Sequence, residues 1–353
     1  MEIACHIKFW EFRAVPLSIN MKWKLIFLFF VFSFNINSHA MEVDPFTQRD
    51  HYEKTLSDFT EVLNQKTNQL LDLAVSDFNE NCQADLSRKE IHRMLAFKIF
   101  KYTADRHNLE KEPHIPKDIE LHEALKKISL SPLESWIVNT ESFRNTYVQP
   151  IENSVYTGLL PLEYNTSYVI RIKNLFIGPD KIDHFWDEGY SYWIISNYGE
   201  NDQAAVDWGV RTENGWFGKK IVSIFSFADL RANWMGYLFY KGLFSDVDPL
   251  FSITKKGCVK RNRDFDWSHW IDWRFDELQN PCAYDDEWYK KGKTHIKKYL
   301  KENLKKYDYC RTYQYMKNKG YFNKPKPQPS DVYLNNEIPT HFENLFDIKY
   351  LCE

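Results

Sequence analysis

Gly178-Pro-Asp-Lys-Ile-Asp-His-Phe-Trp-Asp-Glu-Gly-Tyr190 is the stretch on which the reading of this chain turns. Pro179 suits the first turn of a helix, where its missing N–H is not needed. Apolar residues then recur at Phe185, Trp186, Trp193 and Ile194, which predicts a helix continuing to about Tyr198. On that helix Asp180, His184 and Glu188 fall at i, i+4 and i+8 and share one face, with Lys181 beside them. Two carboxylates, an imidazole and an ammonium are costly to bury unless they serve one another or a ligand. The flanking Phe185, Trp186, Tyr190, Tyr192 and Trp193 leave such a helix little exposed surface, so a site is expected here rather than a solvated charged stripe.

Upstream, Ser167-Tyr-Val-Ile-Arg-Ile-Lys173 alternates and is rich in β-formers, and Leu175-Phe-Ile177 follows closely. A small hairpin feeding the central helix is predicted. Downstream, Asn201 or Asp202 caps a shorter helix running toward Glu213, where Gly215 and Gly218 make a turn. Ser226-Phe-Ala-Asp229 has capping-box form and opens a helix to Gly242, with Asp229, Asn233 and Gly236 along one face. Gly236 permits either close helix approach or ligand access. If these helices pack with those faces inward, Glu213 and Asp229 converge on His184. The bland alternatives are that Asp229 merely caps its helix and Glu213 merely holds the glycine turn.

The remaining chain reads as further helix. Residues 51–79 carry apolar residues at helical spacing, Ser87–Glu90 is a capping box, and another helix is expected over Ile119–Ile128. His92 and His107 read as isolated surface or capping histidines. Residues 264–288 form an aromatic–acidic block that includes Trp267, Trp270, Trp273, Asp276 and Glu277. Plain core is its commoner meaning, a carbohydrate-stacking platform the rarer one. A basic helix around 290–306 offers peripheral membrane contact or, by default, a solvated face. Lys324-Pro-Lys-Pro-Gln-Pro329 is a polyproline-like linker, after which the tail straps back onto the body. The fold class expected is therefore mainly α, multi-helical, with one small β-hairpin before the central helix. The expected division is a helical region at 41–150, a core domain with the site at 151–286, and a basic helix with tail at 287–353.

The aromatic content of 17% and hydrophobic content of 43% favour a folded body, and a formal charge of −3 argues against nucleic acid as a general partner. Lys22 and Lys24, a short apolar run from Leu25 to Phe34 and the ending Ser38-His-Ala40 read as a signal peptide over 21–40, with 1–20 a mis-assigned extension. The expected locale is periplasmic or secreted. After Ala40 there are five cysteines, Cys82, Cys258, Cys282, Cys310 and Cys352. Cys258 with Cys282 is the preferred pair and Cys310 with Cys352 the second.

In the enzyme reading His184 is the acid/base, Asp180 orients it, Lys181 holds an anionic group, and Glu213 with Asp229 positions water or a divalent cation. Glu188 and Asn233 complete the binding set. In the competing reading the same groups are a structural network that fixes helix register. No nucleophile elbow, zinc-protease motif or phosphate-binding glycine loop is present in the sequence.

The order Ile177-Gly178-x-Asp180-Lys181-x-x-His184-Phe185, then Glu213 and a glycine turn, then Ala228-Asp229-Leu230-x-Ala232-Asn233-x-x-Gly236, resembles a family of exported bacterial proteins of uncharacterised activity. The shorter Asp-Lys-x-x-His-Phe element is similar to one in the VanZ-like envelope proteins. That resemblance covers about residues 167–285 and implies site positions at Asp180, Lys181, His184, Glu213, Asp229 and Asn233. It also implies a hydrolase or transferase acting on a phosphate-linked lipid or wall component. The VanZ-like proteins span the membrane several times, whereas no stretch after the signal here is long and apolar enough to do so.

Overall fold

Helical periodicity governs the fold, which is mainly α. The computed structural model describes residues 43–105, 132–139, 147–148, 154–156, 167–214, 218, 223–280, 282–318 and 349–352. The expected signal peptide, the helix at 119–128, His107 and the linker at 324–329 lie outside these residues.

The apolar run through 51–79 makes two helices rather than one, α1 (Arg49–Thr55) and α2 (Thr60–Asn79). The break has a local cause. Asp58 accepts hydrogen bonds from Thr60 N and from Lys173 N, and Phe59 N donates to Arg171 O. A short polar side chain and a neighbouring strand thus replace the helical ladder. The predicted capping box opens α3 (Arg88–Thr103), with Ser87 and Glu90 bonded reciprocally. A short α4 (Pro132–Asn139) follows.

The predicted hairpin is present as β2 (Tyr168–Ile172) and β3 (Leu175–Ile177), antiparallel with Ile172 opposite Leu175. Its two-residue turn has Lys173 at φ 55°. β1 (Tyr147–Val148) adds a third strand. The chain then enters α5 (Asp180–Ile195), and α6 (Asp202–Glu213) comes next, with the side chain of Asn201 as its cap. β4 (Ile224–Phe225) leads into α7 (Phe227–Lys241), and β5 (Phe251–Ile253) pairs with β6 (Val259–Arg261). β7 (Ala283–Tyr284) returns to β4. The expectation of a single hairpin is therefore exceeded by two further short ladders among the described residues, each too brief to show in a period-2 pattern. The chain closes with α8 (Asp286–Asn303), α9 (Tyr309–Asn318) and α10 (Lys349–Cys352).

α5 and α7 form the centre and pack along most of their length. Glycine decides how closely. A Cβ on Gly189 would stand 2.6 Å from the Cα of Gly236, and one on Gly236 would stand 1.8 Å from Phe185 O. Of the two roles open to Gly236, close helix approach is the one realised. Around this crossing Phe185, Trp186, Phe239, Tyr240, Phe265 and Trp267 interlock, mostly edge to face. α2 and α3 bury Leu63, Leu70, Leu71, Ile91, Leu95 and Ile99 in the same core. A second cluster gathers Tyr156, Tyr284, Trp288, Ile296, Leu300 and Tyr309 under α8. The lysines of α8 face outward. No helix among the described residues is long and apolar enough to cross a membrane.

Cys82 pairs with Cys258, and Cys310 with Cys352. The second bridge was expected and ties α10 to α9. The first corrects the preferred Cys258–Cys282 pair: Cys82 lies at the end of α2, beside β6, and Cys282 is a buried free thiol. His92 is also corrected. It is half-buried, stacked on Trp193 at 5.1 Å, with Nε2 2.6 Å from Tyr240 O.

Candidate functional site

The first turns of α5 and α7 bring the predicted residues together. Asp180 enters α5 directly after Pro179, where a negative charge is favoured by the helix dipole. One turn on, His184 points to the same side. On α7 the hydroxyl of Ser226 caps the helix by accepting from Asp229 N at 3.2 Å. In a full capping box the acid side chain would reach back to Ser226 N. Here Glu213, arriving from the end of α6, takes that N–H at 2.9 Å. Asp229 is thereby released to face α5, so neither bland reading describes it.

Lys181 sits at the centre with a fully buried side chain, 0% exposed. Its ammonium contacts Asp229 Oδ1 at 2.5 Å, Asp180 Oδ2 at 2.6 Å and Glu277 Oε1 at 2.8 Å. Asp180 accepts a hydrogen bond from the ammonium, and Asp229 and Glu277 complete the enclosure as ion-pair partners. The expectation that Lys181 holds an anionic ligand is corrected by this geometry, because enclosure by acids leaves no approach for one. Glu277 was missed as a site residue. Its only sequence signal was an acid inside the aromatic block, which could not be told from core.

His184 is more open, 18% exposed, and Glu188 next to it is 15% exposed. Asn233 Oδ1 lies 2.9 Å from His184 Nδ1, while Asp229 Oδ2 lies 3.3 Å from Nε2 and Glu188 Oε2 3.6 Å from Nδ1. Asn233 in turn donates to the hydroxyl of Tyr192 at 3.2 Å. Acceptors at both ring nitrogens select the doubly protonated imidazolium. Burial alone would lower the pKa of His184, but Asp229 and Glu188 outweigh it and hold the group well above its ordinary value. Asp229 is the converse case. Burial would raise it, yet His184 and Lys181 keep it well below the usual carboxylate range.

The other acids go the opposite way. Burial, reinforced by the charge of Asp229, pushes Glu213 up to about 8. Asp180 and Glu277 are raised by burial against the pull of Lys181. Asp180, Glu188, Glu213, Asp229 and Glu277 thus outnumber Lys181 and His184, and protonation of some acids offsets the excess. Trp186 and Trp193 pack into the aromatic core.

Asp180, His184 and Asp229 each bring a donor atom within 4.8 Å of the others, which is metal-ligand spacing. A divalent cation fits poorly, however. The Lys181 ammonium already pairs with both carboxylates, and the raised pKa of His184 keeps its ring protonated toward Asp229 rather than offering a lone pair. The ammonium is the cation of this cluster.

Neither the cleft by the hairpin nor the smaller one beside Phe244 and Phe251 includes a residue of the cluster. The larger lies by the hairpin and is lined by Arg49, Arg171, Lys173, Trp273, Tyr307 and Arg311, among others. Compared with known proteins, the chain matches no family model, no curated protein and no solved structure at a significant level.

Proposed function

We propose that the chain is an exported cell-envelope protein of the binding class, in which the polar cluster is a structural network locking α5, α7 and the 273–279 segment in register. One observation carries this reading: three carboxylates lie within 2.8 Å of the buried Lys181 ammonium, and both ring nitrogens of His184 already face protein acceptors. Such a network pairs its charges within the protein, which supports a structural role. Export is supported by the basic and apolar pattern at 21–40 and by the two disulfides, which persist in oxidising compartments.

A second reading is favoured by the partial exposure of His184 and Glu188. In it the chain is a hydrolase or transferase acting on a phosphate-linked lipid or wall component. The His184 imidazolium is then the proton donor, positioned by Asp229 and Asn233. Thermal melts of the chain from residue 41 and of its His184→Ala variant, with and without a chelator, separate the two. A structural network predicts a loss of about 1–3 kcal/mol or more, because Asp229 and Asn233 lose their partner in a buried setting, and no response to chelator. An unchanged melt accompanied by loss of an envelope-lipid or wall phenotype would overturn the binding reading.

A further inference from the structure

We infer that the cleft beside the β2–β3 hairpin is a binding site for a phosphate-bearing ligand. This deepens the binding reading above and rests on it, since it places ligand contact away from the His184 cluster. The cleft encloses about 570 Å³, which is within the range of small-molecule sites. Its charged lining is Arg49, Arg171, Lys173 and Arg311 against Glu53 and Asp272, an excess of two positive charges. A phosphate monoester carries close to two negative charges at neutral pH.

The acids are already answered. Asp272 is held by Arg231 at 2.6 Å and by Arg274, neither of which lines the cleft, and Glu53 by Arg311 at 3.0 Å. Lys173 is exposed and makes no ion pair among the described residues. Arg171 is fixed by donating to Lys173 O at 2.7 Å and Leu56 O at 3.2 Å, so its charge is pre-oriented.

The independent sign of a ligand is Arg49. It is 2% exposed, bonded to Asp276 through Nη2, laid over the ring of Phe176 at 4.6 Å and interacting with Tyr307, and among the described residues its Nε and Nη1 meet no well-aligned acceptor. Each such donor forfeits its water without replacement, which an acceptor on a ligand in the cleft would restore. Its charge is paired with Asp276, so what it offers a bound anion is donor capacity at the border of a cleft whose remaining lining is net positive. Leu175, Phe176 and Trp273 supply an apolar wall for the rest of the ligand.

The test uses the chain from residue 41 and three probes: inorganic phosphate, glycerol phosphate, and vesicles of phosphatidylcholine with or without phosphatidic acid. Lys173→Glu/Arg311→Glu alters two exposed side chains, and its ligand-free melt serves as the check on folding. Lys290→Glu/Lys293→Glu on α8 makes the same charge change elsewhere. Saturable binding is expected for the soluble phosphates, weakening with salt, and falling about tenfold or more in the cleft variant but not in the α8 variant. Binding to phosphatidic acid vesicles with the same variant pattern, and not to soluble phosphate, would place the phosphate on a lipid headgroup and equally support the site. No saturable binding of any probe up to roughly 10 mM, or equal losses in both variants, would overturn it. Such a failure leaves the His184→Ala melts as they were, so it would refute the phosphate cleft without deciding the role of the cluster.

Discussion

Glu213→Gln tests whether the buried acids carry protons in the folded state. In the native protein Glu213 is pushed up to about 8 by burial and by Asp229, against 4.5 for an ordinary glutamate. A raised folded pKa means that the native state holds a proton which the unfolded chain has released. Stability from this group is therefore complete below about pH 4.5 and is lost as pH rises toward about 8. Loss of one whole proton corresponds to about 1.4 kcal/mol per pH unit, so the window is worth at most about 5 kcal/mol. His184, Asp180 and Glu277 are raised as well and contribute in the same direction, His184 only above its ordinary 6.5. Asp229 is lowered, so its contribution is complete above 3.8 and does not oppose them in this window. Glutamine keeps an acceptor for Ser226 N but has no proton to lose. Urea denaturation at intervals between about pH 4.5 and about pH 8 should show wild-type stability falling with pH more steeply than that of Glu213→Gln. Parallel curves for the two proteins would refute the assignment of a neutral Glu213.

Two further outcomes follow from packing and covalent structure. Gly236→Ala places a methyl group against the backbone of α5 at Phe185, and should destabilise by about 1–3 kcal/mol or more; a wild-type melting temperature would mean that the helices do not cross as described. Cys82→Ser with Cys258→Ser opens a bridge between residues 176 apart, and chain entropy assigns it about 5 kcal/mol. Equal denaturation midpoints for variant and parent under non-reducing conditions would show that this bridge does not stabilise the native protein.

Local physics wrote most of the central elements into the sequence. The i, i+4 spacing of Asp180 and His184, the β-rich run before Pro179 and the Ser226 cap each depend on residues a few positions apart. Partners from distant segments were invisible for the same reason. Glu277 lies 96 residues after Lys181, and nothing near it distinguishes a buried counter-ion from an acid in an aromatic core. Arg49 with Asp276 and Cys82 with Cys258 are likewise tertiary facts. Glu213 was placed correctly near the cluster, but its task of relieving Asp229 from capping depends on how α6 ends against α7. The break between α1 and α2 misled because apolar period continued through Leu56 and Phe59 while Asp58 diverted the backbone.

The aromatic interlock around α5 has an optical consequence. Trp186 and Trp267 lie 5.8 Å apart and nearly perpendicular, with Phe265 5.0 Å from Trp267 and Phe239 4.9 Å from Trp186. The indole N–H of Trp186 is buried without a hydrogen-bond partner among the described residues, in an environment that does not relax around an excited dipole as water does. Rings held this near one another at fixed angles couple their electronic transitions, and the coupling vanishes once the angles are averaged. The same residues that hold the two central helices together therefore give the protein a built-in chromophore array, whose ellipticity and blue emission report the integrity of that crossing.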